Sequence, residues 1–155
     1  MNAAAPHRLA VLAYERLQLF EFGIAMEAFA KPRPDYPQLY DCTIVGAERG
    51  VGEPLSLLTG APTAGLEALA KVQTIIVPGW RDHRETPPPA MLAALREAAG
   101  RGTRFLSICL GAYVLAAAGL LDGRRATTHW AYARGLQKRY PAIRIEPDVL
   151  YVDDG

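Results

Sequence analysis

The chain has 155 residues, of which 50% are hydrophobic and 21% are charged, and its formal net charge is +1. This balance is typical of one globular domain that buries a core, and the scattered charge argues against a nucleic-acid surface. Two cysteines, Cys42 and Cys109, are too few for a disulfide framework and fit a reducing compartment. Since no signal peptide or membrane-length apolar stretch is found, we expect a cytoplasmic protein that contacts no membrane.

The first half of the chain predicts two buried strands, each beside a helical or turn-rich segment. An apolar run forms the first strand, a segment with helical apolar spacing follows it, and prolines end that helix. The predicted elements are a strand at Leu9–Tyr14, a helix at Phe20–Ala30, a strand at Tyr40–Ala47, an extended arm within Glu53–Pro62 and a helical turn at Leu66–Leu69.

The second half repeats this alternation with shorter elements. The predicted strands are Val72–Val77, Phe105–Ile108, Ala126–Trp130, Ile143–Glu146 and Val149–Val152, and the predicted helices are Ala90–Ala99, Ala112–Leu121 and Tyr132–Tyr140. Strands that alternate with helices of about ten residues indicate βαβ units. We therefore predict an α/β domain with a mainly parallel sheet covered on both faces.

Cys109 lies between a predicted buried strand and a predicted helix, with Ser107 two residues before it and Gly111 two residues after it. A strand, a tight turn with a nucleophile at its apex and a helix are the plan of a nucleophile elbow, which needs small neighbours. The helix start is expected to favour the thiolate. The alternative is a buried structural cysteine in an ordinary turn.

Two ionisable residues are candidates to act with the cysteine. Ligands of open α/β sheets bind beyond the carboxyl ends of the strands, and Glu21 and Cys109 both follow predicted strands. Glu21 could exchange a hydrogen bond with the sulfur and set its protonation, and His129 could act as its base or orient a water. The alternatives are that Glu21 interacts only with its own helix start and that His129 is a packing residue.

Backbone amides supply the remaining candidate groups. The N–H of Leu110, together with that of Gly79 or Trp80, could form an oxyanion-binding pair after neighbouring strands, although Pro-Gly after a strand is often only a turn. The sequence contains no Cys/His spacing typical of a metal site and no glycine-rich nucleotide or phosphate loop. We therefore expect neither a metal nor a cofactor.

The run from Ser107 to Trp130 closely resembles the ThiJ/PfpI family, which has a class I glutamine amidotransferase-like fold. More narrowly it resembles the N-terminal domain of AraC-type regulators of the GlxA and FtrA kind, and Ala10–Tyr14, Ile75–Trp80 and Pro147–Gly155 extend the likeness. The resemblance implies a flavodoxin-like, three-layer α/β/α sandwich. In it Cys109 would be the elbow cysteine, Glu21 its acidic neighbour, His129 the downstream histidine and Gly79 the turn glycine of the oxyanion pocket.

Departures from the family pattern qualify this resemblance. Leu110 replaces a histidine of protease-type members, and Trp80 replaces a glycine and is expected to narrow the pocket or to line it for an apolar ligand. Regulators of this kind continue with a strand, a helix and a helix-turn-helix domain. The resemblance thus implies that residues 1–155 form one domain truncated at its C-terminus, without a DNA-binding domain. The isolated chain would then be poorly soluble or self-associating.

Three functions remain open at this point. The first is a ligand-sensing and dimerisation domain of a transcription regulator, which would bind a small molecule, form a homodimer and not contact DNA itself. The second is a cysteine-dependent hydratase or hydrolase, because isocyanide hydratases resemble the same stretch. The third is a redox sensor based on oxidation of Cys109.

Overall fold

The fold is taken from a computed structural model, which describes residues 5–48, 50, 51, 55, 59, 61 and 63–155. Its strands are β1 (His7–Ala13), β2 (Tyr40–Gly46), β3 (Thr63–Ala64), β4 (Thr74–Val77), β5 (Arg104–Ser107), β6 (Arg125–Ala126) and β7 (Arg144–Ile145). Its α-helices are α1 (Leu19–Phe29), α2 (Pro89–Gly100), α3 (Gly111–Ala117) and α4 (Trp130–Arg139), and a 3-10 helix spans Leu66–Lys71.

Five strands form one parallel sheet in the order β3-β2-β1-β4-β5. The central strand β1 pairs on both sides, so that Val11 lies opposite Ile44 of β2 and Ile76 of β4. Strands buried on both faces are continuously apolar, as Leu9–Ala13 is. The predicted α/β architecture with a parallel sheet is confirmed.

Helices cover both faces of this sheet and divide the core in two. On one face α1 packs Phe22 and Met26 against Leu9 and Val11 of β1. On the other face, α2, α3 and α4 pack against the alternate residues of β1 and β4, which are Ala10, Leu12, Tyr14, Ile75 and Val77. This is the three-layer, flavodoxin-like arrangement that the resemblance implied. Cys42 lies in the α1-side core, as expected for a strand residue.

The C-terminal segment differs from its prediction. Val149–Val152 forms no strand, because an extended segment is stable only beside a partner strand and none of the described strands pairs with it. Ion pairing holds the segment instead, since Asp154 accepts hydrogen bonds from the backbone N–H and the side chain of Arg125. Strands β6 and β7 form a separate parallel pair of two residues each. They are shorter than the strands predicted at Ala126–Trp130 and Ile143–Glu146.

Two further predictions fail in part. Helix α3 ends at Ala117 instead of Leu121, because Gly119 adopts a φ of +76° and the N–H of Leu120 bonds to the carbonyl of Leu115. The arm within Glu53–Pro62 lies mostly outside the described residues. The two described residues Leu55 and Thr59 are helical, and the Thr59 hydroxyl donates to the Leu55 carbonyl at 2.8 Å, so the extended prediction is wrong there. None of the helices in the described ranges has the length and apolar character that crossing a membrane requires.

The start of α3 touches the end of β4. A Cβ added to Gly111 would overlap the carbonyl oxygen of Val77 and would lie 2.7 Å from that of Pro78. Only a residue without a side chain fits there, so Gly111 sets the distance between the two strand ends that carry the site.

We predict that Gly111→Ala lowers the free energy of unfolding by about 2 kcal/mol, the usual cost of overpacking a tight contact. Urea unfolding followed by circular dichroism measures this. Gly100→Ala at the end of α2 is the matched control, because a Cβ there meets nothing within 4 Å. A Gly111→Ala protein as stable as the Gly100→Ala protein would contradict the close approach.

Candidate functional site

Cys109 lies at the apex of the turn between β5 and α3, with a φ of 55°. A non-glycine residue in this left-handed region is strained, and such strain persists only where the surroundings impose it. The strand, the strained turn and the helix have the geometry of a nucleophile elbow. The cysteine is partly buried and lines a groove.

A threonine that the sequence analysis missed holds the elbow. The hydroxyl of Thr128 donates a hydrogen bond to the carbonyl oxygen of Cys109 at 2.7 Å. This bond ties the segment before α4 to the turn and brings His129 to the same edge of the sheet. The only sequence signal was that Thr128 immediately precedes a candidate residue, which does not distinguish it from any loop threonine.

Helix α1 carries Glu21 in its first turn and directs it at both the elbow and the β4 loop. Its side chain is hydrogen-bonded to the sulfur of Cys109. A Cβ added to Gly79 would lie 3.1 Å from the Glu21 carboxyl carbon. The structure therefore brings together three of the predicted site residues, Glu21, Gly79 and Cys109.

The protonation of Cys109 differs from the expectation. Burial raises the pKa of Cys109 above its ordinary value, and the charge of Glu21 and its hydrogen bond to the sulfur raise it further. The N–H of Leu110 bonds to the sulfur and lowers the pKa, but it does not outweigh these effects. The expected preference for a thiolate is wrong in direction, since the neutral thiol is favoured.

His129 lies at the rim of the groove and is exposed. Its Nδ1 accepts a hydrogen bond from the N–H of Ala131 at 3.2 Å and so caps α4. Its ring stacks on Trp130 with the ring centres 5.4 Å apart. His129 thus lines the same groove as Cys109, while its Nδ1 is hydrogen-bonded to the start of α4. Its role as a base stays a prediction.

Trp80 does not line the groove, so that part of the prediction is wrong. Its side chain is fully buried, its indole N–H donates to the carbonyl of Glu85 at 3.1 Å, and its ring lies edge-on to Tyr14. The guanidinium of Arg81 lies 4.4 Å from the ring centre. An indole is too large to stay at the crowded strand end, and it gains most by filling the core under the loop.

An ion cluster that the sequence analysis did not find joins three loops beside the site. The side chain of Arg81, which is only 8% exposed, forms hydrogen bonds with Glu48 after β2 and with Glu85. Glu85 also pairs with Arg16 after β1. Burial alone would raise the pKa of Glu48, but the hydrogen bonds with Arg81 and with the backbone N–H of Glu15, together with the charge of Arg81, lower it below its ordinary value. Residues 33 and 69 positions apart meet here, which no local pattern indicates.

The groove runs from Cys109 along the open side of β5 to the C-terminal segment and has a volume of about 1370 Å³. Polar groups of Ser107, Thr128 and His129 surround its Cys109 end, and Leu106 and Tyr151 make its far part apolar. The groove is larger than the roughly 300–1,000 Å³ typical of small-molecule pockets, so a small organic molecule would fill only part of it. Within the described ranges no three His, Cys, Asp or Glu side chains gather to hold a metal ion.

A parallel α/β sheet with a strained cysteine at a strand–helix elbow, and with a carboxylate beside its sulfur, defines the chain as an α/β domain with a cysteine-centred site. The model of the DJ-1/PfpI family matches residues 7–154, and the chain belongs to that family. A structure of DJ-1beta from Drosophila melanogaster shares the fold, with a TM-score of 0.70 and 18% identity, over 97% of this chain and 79% of that one.

Relatives of known sequence fall into different functional groups. A Streptomyces lividans protein, described only as uncharacterized and encoded in the cpoL 5′ region, is 36% identical over 90% of this chain and 99% of its own length. The transcriptional regulator CdhR of Pseudomonas aeruginosa is 29% identical over 85% of this chain and 39% of its own length. Isonitrile hydratase of Pseudomonas putida is 38% identical over 51% of this chain and 36% of the enzyme.

The regulator likeness extends to a solved structure. An AraC-family transcriptional regulator structure from Pseudomonas putida has a TM-score of 0.69 and 25% identity, and the match covers 94% of this chain and 80% of that one. The resemblance to AraC-type regulator domains is thereby confirmed. The chain spans well under half the length of CdhR, and the match to the hydratase covers only 36% of that enzyme.

We predict that Glu21→Gln lowers the pKa of Cys109, because it removes a negative charge and leaves an amide that can donate to the thiolate. Each pKa unit changes the thiolate fraction about tenfold at a pH below the pKa. Alkylation of Cys109 by iodoacetamide at pH 8, followed by mass spectrometry, should therefore be several-fold faster in the variant.

Cys42 is the internal control for this measurement. It is buried, and burial raises its pKa to about 11, so its slow alkylation should not change in Glu21→Gln. Equal alkylation rates of Cys109 in the two proteins would contradict the electrostatic influence of Glu21. A parallel increase at Cys42 would instead indicate a loosened fold.

Proposed function

We propose that this chain is the ligand-sensing and dimerisation domain of an AraC-type transcription regulator, with a pocket centred on Cys109. The observation that carries the proposal is the match to AraC-family regulators over most of this chain, in sequence to CdhR and in structure to the Pseudomonas putida protein. DNA recognition is then not a task of these 155 residues. The formal net charge of only +1 agrees with a domain that does not itself bind DNA.

The state of the cysteine supports binding over turnover. The thiol form is favoured, and Nδ1 of His129 is engaged by α4 rather than by the sulfur. A neutral thiol bonded to Glu21 is a weak nucleophile but a suitable wall for a pocket. The open groove beside it leaves room for a small molecule without any movement of the elbow.

A ligand should stabilise the domain in proportion to its occupancy. A panel of small amines and amino-acid derivatives is therefore titrated by thermal shift and calorimetry. A binder at a hundred times its Kd adds about 2.7 kcal/mol, which raises Tm by about 5–10 °C in a domain of this size. Cys109→Ala should weaken that binder.

Lys71→Ala, at an exposed position of the 3-10 helix, is the matched control and should bind as the unmodified chain does. Failure of the whole panel would count against sensing. Equal affinity for Cys109→Ala and the unmodified chain would show that the pocket is not centred on the elbow.

The dimerisation part of the proposal is supported by α1. Its outer face exposes Leu19, Phe20 and Ile24 at 68%, 77% and 43%, and Gly23 between them leaves the backbone open to close approach. A contiguous exposed apolar face on a helix is typical of a helix–helix interface. Glu21 lies on the same helix, so a second copy docked there would adjoin the pocket.

We predict that Phe20→Glu shifts the chain from dimer to monomer, because the carboxylate would be buried in that interface. Sedimentation velocity at several concentrations measures this. Tyr36→Glu, at an aromatic residue exposed to a similar degree outside α1, is the control and should not change the mass. A monomeric unmodified chain would refute dimerisation, and a dimeric Phe20→Glu protein would place the interface elsewhere.

A second candidate function is a cysteine-dependent hydratase. It is favoured by the contact between Glu21 and the Cys109 sulfur and by the 38% identity to isonitrile hydratase over half the chain. The assay is consumption of an alkyl isocyanide, followed by formation of the N-substituted formamide. Hydration that Cys109→Ser abolishes would support an enzyme, whereas equal rates in both proteins would end this alternative.

The third function, redox sensing, has the least physical support. Oxidation by peroxide proceeds through the thiolate, and burial together with Glu21 disfavours that form of Cys109. Mass spectrometry after mild peroxide treatment decides it. Oxidation at Cys109 well before Cys42 would support the redox function, and similar slow oxidation of both would exclude it.

A further inference from the structure

The carbonyl oxygen of Cys109 is held by one short hydrogen bond. The hydroxyl of Thr128 donates to it at 2.7 Å, whereas the backbone N of Ala112 lies 3.5 Å away, beyond the usual length of such a bond. These are the two hydrogen bonds that this oxygen accepts in the part of the chain that the structure describes. The direction of the carbonyl at the apex of the elbow therefore depends on a threonine 19 residues further along the chain.

The donor itself is fixed from both sides. Two residues before Thr128, the carbonyl of Ala126 accepts a hydrogen bond from the N–H of Glu146 at 2.9 Å, next to the β6–β7 pair. One residue after Thr128, the side chain of His129 caps α4 through the N–H of Ala131. Thr128 thus stands between two hydrogen-bonded elements, and its hydroxyl has little freedom to leave the elbow.

Peptide planarity passes this restraint on to the N–H of Leu110. The Cys109 carbonyl and the Leu110 N–H belong to the same peptide unit, and in a trans unit they point in opposite directions. No cis bond occurs among the described residues. Fixing the oxygen on the Thr128 side therefore fixes the N–H on the other side, where it bonds to the Cys109 sulfur.

The Leu110 N–H acts against the other influences on Cys109. Burial first, and then the charge and the hydrogen bond of Glu21, raise the pKa of Cys109, whereas the bond from Leu110 lowers it. A backbone N–H stabilises a negative sulfur more than a neutral thiol. Since the φ of 55° at Cys109 is strained, the peptide unit gains energy by rotating once its restraint is removed.

We propose that Thr128 is a positioning residue, which holds the Cys109–Leu110 peptide unit so that the Leu110 N–H points at the sulfur, and thereby sets the reactivity of the thiol. This inference rests on the proposed pocket around Cys109 and concerns the regulation of its central side chain. Hydrogen bonds in a chain polarise one another, so the bond to the carbonyl also strengthens the N–H as a donor. A displacement of the segment between β6 and α4 would then change the reactivity of Cys109 without any contact with the sulfur.

The test is the pH dependence of Cys109 alkylation in Thr128→Val, which removes the hydroxyl and keeps the shape of the side chain. Iodoacetamide reacts with the thiolate: an Sγ–C bond forms, iodide leaves, and the thiol proton passes to solvent. The rate at Cys109 is followed by mass spectrometry from neutral pH to about pH 11. The midpoint of the profile reports the pKa of the thiol, and the plateau reports the access of the reagent.

In Thr128→Val we expect the midpoint to move to higher pH by at least about half a unit, so that the rate at pH 8 falls by at least about threefold. Thr128→Ser keeps the hydroxyl and should restore the profile. Thr103→Val is the matched control, because its hydroxyl also donates to a backbone carbonyl, that of Val72, at 3.4 Å, and Thr103 precedes β5 at the end away from Cys109. Its midpoint should not change. Thr128→Ala, which also lacks the hydroxyl, serves as the test if Thr128→Val does not fold.

An unchanged midpoint in folded Thr128→Val, with or without a change in the plateau, would overturn the proposal. So would a midpoint at lower pH, an equal shift in Thr103→Val or a Thr128→Ser profile that stays shifted. The outcome is separate from the ligand titration. A raised midpoint without any binder in the panel would leave the role of Thr128 intact and refute only the sensing function. A binder together with an unchanged midpoint would refute only the role of Thr128.

Discussion

The contact that the site depends on is the approach of the α3 backbone to the end of β4. Gly111 lies against the carbonyls of Val77 and Pro78 with no space for a Cβ. This contact sets the separation between the ends of β4 and β5. It therefore also sets the distance between Cys109, which follows β5, and the loop that follows β4. The strained backbone of Cys109 is tolerated because the contacts on either side of the turn hold it.

Around this contact the charged and polar groups have separate tasks. Burial and, after it, the charge of Glu21 raise the pKa of Cys109, whereas Arg81 and its glutamate partners tie the neighbouring loops together. A largely buried arginine with two carboxylates is costly to break, because removing one partner leaves a charge in a poorly hydrated place. These ion pairs hold the loops after β1, β2 and β4 together at the edge of the sheet that carries Cys109.

Much of the fold and part of the site could be predicted from local patterns. The apolar run of β1, the helical spacing of α1 and the small residues around Cys109 each reflect a local rule, and all three were interpreted correctly. The prediction of a strand at Val149–Val152 was wrong, because a strand forms only beside a partner strand. Whether a partner lies beside these residues cannot be seen in their own sequence. The prediction that the Trp80 side chain lines the pocket was wrong, because the direction of a side chain at a strand end depends on where the core has space for it.

The sequence by itself determined the parallel α/β fold, the family and the positions of Cys109 and Glu21, since periodicity and a long motif are encoded over neighbouring residues. Only the tertiary structure decided that the thiol is favoured and that Tyr14 donates hydrogen bonds to carbonyls 64 and 65 residues further along the chain. The physical reason is that desolvation, charge proximity and carbonyl orientation are properties of groups distant in the chain. These properties arise only when the folded sheet brings the carboxyl ends of its strands together.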